Sequence, residues 1–217
     1  MFRPFLIDAQ QSMKFNQLVL ASSNPGKLRE FNQLLGPAGI EVVPQSRFSV
    51  PDAEEPHMTF VENALAKARH AARLTKLPAM ADDSGICVRA LNGAPGVHSA
   101  RFAESAGNVL NREQQDASNN AKMLDLLKHH ADRSAHYYCV IVLVLYPDDP
   151  EPLIADGAWH GEIIDAPRGS NGFGYDPYFL VPDLKQTAAE LDPSTKNSIS
   201  HRGKAMRRLL AKLREEG

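Results

Sequence analysis

Two short stretches of the chain combine residue types that can do chemistry. In ADDSG (81–85) an apolar strand-like run ends on adjacent carboxylates, Asp82 and Asp83. Such a pair can hold a hard cation through oxygen ligands or take a proton from water. Neighbours on a strand point to opposite faces, so the two need not share one role. In SSNPGK (22–27) a second apolar run gives way to Ser22, Ser23, Asn24, Pro25, Gly26 and Lys27, and a helical pattern follows at once. The first turn of a helix offers unpaired N–H groups and the positive end of its dipole. Hydroxyls and a lysine beside it make a workable phosphate cradle. It is not the common P-loop, since Leu28 stands where a hydroxyl should follow the lysine.

Three further stretches extend this pattern. PDAEEP (51–56) brings Glu54 and Glu55 as possible cation ligands. GSNGFGYDP (169–177) joins a flexible backbone to Phe173, Gly174, Tyr175 and Asp176, and its aromatic rings can stack on a flat base. STKNSISHRGK (194–204) gathers Lys196, His201, Arg202 and Lys204 near the start of the last helical pattern, where cations oppose the dipole unless an anion or polar ligand answers them. Taken singly, each stretch has a plainer reading as a cap, a turn, a solvated loop or a hairpin. Together they describe a pocket for a nucleotide polyphosphate.

The elements that must position these residues can be read from periodicity. Strands are expected at 17–22 and 40–45, on either side of a helix at 27–36 that stops at Gly36-Pro37. Thr59 and Glu62 form a capping box ahead of an alanine-rich helix, with Ala64, Leu65, Ala68 and Ala72 on one face. ADDSG reads as a turn between two apolar strands. A helix is expected over NNAKMLDLLKHH, with a loop before it. HYYCVIVLVLY (136–146) is apolar enough for a strand buried on both faces. PLIADGAWHGEII reads as two strands bending at a glycine, and the chain closes on an amphipathic helix with Met206, Leu209, Leu210 and Leu213 inward. Strands and helices mix without strict alternation, which indicates a layered α/β fold around a mixed sheet. Neither a repeat nor a linker divides the chain. Residues 1–12 read as a loose extension, and 13–217 as one domain.

Bulk properties exclude several classes of function. The net charge of −2 supplies no field that would gather nucleic acid. No apolar run reaches the ~18 residues of a membrane span. Cys87 and Cys139 lie in strand-like runs without a CxxC pair, which suits free thiols in a reducing compartment.

SSNPGK, TFVENALAKAR, ADDSG, GAPGVHSAR, GFGYDP and SHRGKA, in this order and at similar spacing, resemble the inosine triphosphate pyrophosphatase family. The resemblance runs from about residue 15 to the end. It implies an elongated long mixed sheet flanked by helices, with two lobes around a central cleft. It also implies a cytoplasmic homodimer that hydrolyses ITP, dITP and XTP with Mg²⁺. Carried onto this chain, it makes Asp83 the proton acceptor and a metal ligand, with Glu54 or Glu55 as a further ligand. Ser22 to Lys27 would bind phosphates and Ser84 would touch substrate. Phe173, Gly174, Tyr175 and Asp176 would meet base and sugar, while Lys196, His201 and Arg202 would read the base. The family often has Thr-Gly where this chain has Ser22-Ser23, which keeps the hydroxyl. Two readings stand beside this one: a Maf-like nucleotide pyrophosphatase, and a nucleotide sensor that does not hydrolyse.

Overall fold

The apolar run Gln17–Leu20 forms β1, and Asn24 caps the helix α1, Pro25–Leu35, that follows it. Next come β2 (Glu41–Pro44), α2 (Phe60–Thr75), β3 (Ala79–Val88), α3 (Arg112–Leu127), β4 (Ser134–Val144) and β5 (Leu153–Ile163). The chain ends through β6 (Phe179–Val181), β7 (Gln186–Thr187), α4 (Pro193–Ile199) and α5 (His201–Glu215). This computed structural model describes residues 15–103 and 111–215, so the extension expected over 1–12 lies outside the described residues. No helix among those residues is long and apolar enough to cross a membrane.

The strands make one seven-stranded mixed sheet in the order β2-β1-β3-β4-β5-β6-β7. β1 is parallel to β2 and β3, and the remaining pairs are antiparallel. Strand alternation divides the core. Leu18, Leu20, Met80, Cys139 and Ile141 face one side, against Phe31 of α1 and Met206 and Leu209 of α5. Burying a side chain the size of Phe31 contributes roughly 1.5–3 kcal/mol. Val19, Ala79, Ala81, Val140 and Val142 face the other side, where Ala64, Ala68, Ala71 and Ala72 of α2 pack. These small residues let the helix approach the sheet closely, as the alanine pattern predicts. Farther along, Ile86, Val88, Tyr137 and Trp159 meet Met123 and Leu127 of α3. Both cysteines are free thiols, Cys139 buried and Cys87 half-buried.

Three local expectations are corrected. ADDSG is not a turn: every residue of β3 from Ala79 to Val88 is registered against β4, and that pairing overrides the turn preference of Asp, Ser and Gly. PLIADGAWHGEII is one strand, β5. Its Gly157 is there because a Cβ would strike the His201 carbonyl of α5, and Gly161 because one would strike the Leu180 carbonyl. Finally, α3 begins at Arg112, two turns before the expected helix. Asn111 and Gln114 form a reciprocal capping box that announces this start.

The topology leaves a gap that matters for the site. β1 pairs with β3 only at Ala79 and Met80. Beyond them, that edge of β3 has no strand partner among the described residues until a single bridge joins Cys87 to Pro95. Asp82, Asp83 and Ser84 therefore lie where loops from both faces of the sheet can reach them.

Candidate active site

A cleft of about 540 Å³ opens on the sheet face that carries α1, α5 and α3. Asp82 and Ser84 point to this face, and the Ser84 hydroxyl donates to Asp82 at 3.3 Å. Asp82 is 1% exposed. It pairs with Lys27 at 2.8 Å and with Arg202 at 3.3 Å. Burial alone would raise its pKa, but Lys27, Arg202 and Lys67 prevail and hold it well below the usual carboxylate range. Arg202 is equally deep. It donates to Glu30 at 2.6 Å and to Ser84 at 3.2 Å as well as to Asp82. Burial would lower its pKa, and Asp82 and Glu30 raise it instead. Of the cations expected to oppose a helix dipole, Arg202 is thus answered by carboxylates of the fold, while Lys204 donates to the Ala158 carbonyl at 2.8 Å.

The phosphate-cradle residues divide. Ser22, Asn24 and Lys27 line the cleft. Asn24 caps α1 by accepting from the N–H groups of Gly26 (2.9 Å) and Lys27 (3.4 Å), and the Ser22 hydroxyl accepts from the Asn24 N–H. Ser23 and Pro25 are exposed and do not line it. The Ser23 hydroxyl donates instead to Asp52 at 2.7 Å and ties this loop to the acidic one. Gly26 faces the glycine-rich loop, since a Cβ there would lie 3.8 Å from the Phe173 ring.

Asp83 points to the opposite face, under α2, and meets Lys67 at 3.0 Å and Asn63 at 3.4 Å. Lys67 also holds Glu55 at 2.7 Å, and Arg101 pairs with Glu55 at 3.5 Å. Of the two glutamates named from sequence, Glu55 joins the cluster, whereas Glu54 is exposed. One lysine between two acids drives them apart. Burial raises the pKa of Asp83 more than Lys67 lowers it, while at Glu55 burial is outweighed by Lys67, Lys27 and Arg101 together and the pKa falls. Lys67 itself, which burial would deprotonate, is kept charged by Asp83, Asp82 and Glu55. A carboxylate raised toward working pH is suited to general-base work. The two acids offer oxygen donors of the kind Mg²⁺ accepts from one or two carboxylates, the rest of its shell being water and phosphate. Among the described residues no third acidic, His or Cys side chain completes a metal cluster.

The glycine-rich loop and α4 form the far wall. Asp176 accepts from the Phe173 N–H at 2.8 Å, the Tyr137 hydroxyl at 3.2 Å and Lys196 at 2.6 Å. It therefore staples the loop, and Gly172 is required because a Cβ there would strike the Asp176 carboxylate. The Tyr175 hydroxyl donates to the Ser99 carbonyl at 2.8 Å. Phe173 is 36% exposed, with Arg112 at 4.8 Å and Lys196 at 5.4 Å from its ring centroid. His201 lies buried beneath, stacked on Tyr137 at 4.8 Å and nearly parallel. Burial, Arg202 and Lys196 push its pKa well below the ordinary histidine value, so it stays neutral. Its Nδ1 is buried without a partner among the described residues.

Gly174, Tyr175, Asp176, Lys196, His201 and Arg202 all line the cleft with Ser84 and Phe173. Sequence reading missed Asn63, Lys67 and Tyr137, together with Arg112, Gln115 and Asp116 at the start of α3. The Asn111–Gln114 capping box was the available signal for the α3 residues. Lys67 gave none, because one lysine in an alanine-rich helix reads as a solvated residue.

This mixed sheet, with a lysine in the first turn of an Asn-capped helix and an acidic pair on the strand beside its centre, matches a known class. Residues 18–212 fit the model of the Ham1 family, and the chain belongs to that family. A dITP/XTP pyrophosphatase from Burkholderia pseudomallei is 62% identical over 200 residues, which is 92% of this chain and 94% of that one. One from Ralstonia nicotianae is 61% identical over 198 residues, 91% of this chain and 96% of that one. The solved structure of a HAM1 protein from Coxiella burnetii superposes with a TM-score of 0.84 at 52% identity, covering 93% of this chain and all of that one. The resemblance drawn from six motifs is borne out for the family and for the mixed α/β fold.

Proposed function

We propose that this chain hydrolyses nonstandard purine nucleoside triphosphates (dITP, ITP, XTP and dXTP) to the nucleoside monophosphate and pyrophosphate, and so clears them from the nucleotide pool. The observation that carries this reading is the meeting of two charge systems at the open edge of β3. Lys27 with Asp82 stands on one side, and Lys67 with Asp83 and Glu55 on the other. The names of the relatives at about 60% identity agree with it.

On this reading Lys27 and the first turn of α1 hold the leaving pyrophosphate, with Ser22 and Asn24 as further contacts. Asp83 takes a proton from a water aimed at the α-phosphorus. Its raised pKa makes it a better acceptor than the tightly paired Asp82. Asp83 and Glu55 would hold Mg²⁺, which supplies charge neutralisation of the triphosphate when bound. Lys67 keeps the two acids apart and oriented. Positioning and preorganised charge do most of the work.

Base choice rests on donors at the purine 6-oxygen. Arg202 spends three N–H groups on Asp82, Glu30 and Ser84, which leaves two of its five for a ligand. The neutral His201, with a ring nitrogen that lacks a partner among the described residues, is a second donor or acceptor. An adenine 6-amino group would face such donors with another donor, at a cost of about 1–3 kcal/mol per unpaired group. Phe173 supplies the stacking surface. By family resemblance the protein works as a cytoplasmic homodimer.

Turnover of ITP, XTP, dUTP, UTP and ATP, followed by pyrophosphate release with Mg²⁺ and with EDTA, tests the proposal. Rapid release from ITP and XTP only when Mg²⁺ is present is expected. Preference for dUTP or UTP would favour a Maf-like activity, and binding without release would favour a sensor.

A further inference from the structure

We propose, building on the reading above, that Arg112 is a base-clamping residue that covers the purine on the face turned away from Phe173. Arg112, Asp116 and Asn120 recur every four residues along α3 and therefore share one face. Two of the three grip a single residue of the glycine-rich loop. The Asp116 carboxylate accepts from the Gly174 N–H at 2.9 Å, and the Asn120 side chain donates to the Gly174 carbonyl at 2.9 Å. Gly174 has a φ of +65°, so a conformation open mainly to glycine is locked from both sides by one helix. The next residue of that stripe, one turn toward the start of α3, is thereby carried over the next residue of the loop. Its guanidinium carbon stands 4.8 Å from the Phe173 ring centroid.

Arg112 is a costly choice at this position. It is the first residue of α3, where the dipole disfavours a cation, and no carboxylate among the described residues pairs with it. Among the described residues it stands over the ring of Phe173. A guanidinium is flat, weakly hydrated and stacks on aromatic faces, and a purine offers such a face. The side chain is exposed and lines the cleft. It needs to lift by only about 3.5 Å, one ring thickness, for a base to slide beneath it onto Phe173. Asp116 and Asn120 are the positioning residues that keep helix and loop in register for this sandwich.

The test compares the full chain with Arg112→Ala and Arg112→Lys, using ITP as substrate and inorganic tripolyphosphate as a base-free competitor. The expected result for Arg112→Ala is a KM for ITP raised roughly fivefold, with kcat within about twofold and tripolyphosphate inhibition unchanged. Arg112→Lys keeps the charge but not the plane and should recover less than half of the loss. An unchanged KM in Arg112→Ala, equal weakening of tripolyphosphate, or full recovery by lysine would each overturn the clamp. Wild-type turnover of ITP in the same assay tests the parent reading on its own, so the two can fail separately.

Discussion

Asp82 and Asp83 are chemically identical neighbours that should respond in opposite ways to the same substitution. In Asp82→Asn, Lys27 and Arg202 lose a carboxylate that lies in the interior at 2.8 and 3.3 Å. Removing one partner of a buried pair costs about 3–5 kcal/mol. Two features push the value toward the lower end: Arg202 retains Glu30, and the Lys27 side chain is 17% exposed and can turn to water. A loss near 3 kcal/mol should lower Tm by about 6–12 °C in a chain of this size. Asp83→Asn removes a charge that burial already disfavours, as its raised pKa records. Its Tm should fall little or rise, while kcat drops by about 10²–10⁴ if Asp83 is the base. The exposed pair Arg73–Asp148, at 3.6 Å, serves as the control, because Asp148→Asn should move Tm by less than about 2 °C. Differential scanning calorimetry with ITP turnover on the same samples reads both quantities. Equal Tm losses in the two variants, or a stable Asp82→Asn protein, would refute the division of labour drawn from strand alternation.

Other outcomes follow from the same contacts. Lys67→Met leaves Asp83 and Glu55 facing each other without their shared cation, so Mg²⁺ should raise the Tm of this variant more than that of the wild type. No difference in the Mg²⁺ effect would argue against a cation site there. His201 has a folded pKa well below its unfolded value of about 6.5, so its contribution is intact above that pH. As pH falls below it, the unfolded chain binds a proton that the folded chain refuses, and stability drops by up to ~1.4 kcal/mol per pH unit. His201→Gln should flatten this part of the Tm profile between pH 6.5 and 5, and an unchanged slope would place the titration elsewhere. Gly172→Ala forces a Cβ onto the Asp176 carboxylate at a φ of +81°. KM for ITP should rise as Phe173 and Lys196 lose their staple, and wild-type kinetics would show that the loop tolerates the shift.

What was legible in the sequence was what is local. Helix caps, the alanine face of α2 and the apolar run of β4 each declare themselves within a dozen residues. The ordered motifs carried enough information to give the family. Long-range pairing was hidden. ADDSG looked like a turn because its residues favour turns, yet β4 pairs with all of it. Gly157 looked like a bend, but its reason is the carbonyl of His201, 44 positions on. Lys67 is functional in appearance only once β3 places Asp83 beneath it. Nor did the sequence show that the Asp176 carboxylate, which lines the cleft, has three internal donors. Strand alternation did place Asp82 and Asp83 on opposite faces, and that inference needed only the two-residue period of a strand.

The central claim is that water, activated beside Asp83, attacks the α-phosphorus of a triphosphate whose pyrophosphate end lies at Lys27. Hydrolysis of ITP in ¹⁸O-labelled water with Mg²⁺, read by mass spectrometry of the products, tests it most directly. The account predicts one ¹⁸O in the inosine monophosphate and none in the pyrophosphate. Label in the pyrophosphate, or release of inosine diphosphate and orthophosphate, would contradict it.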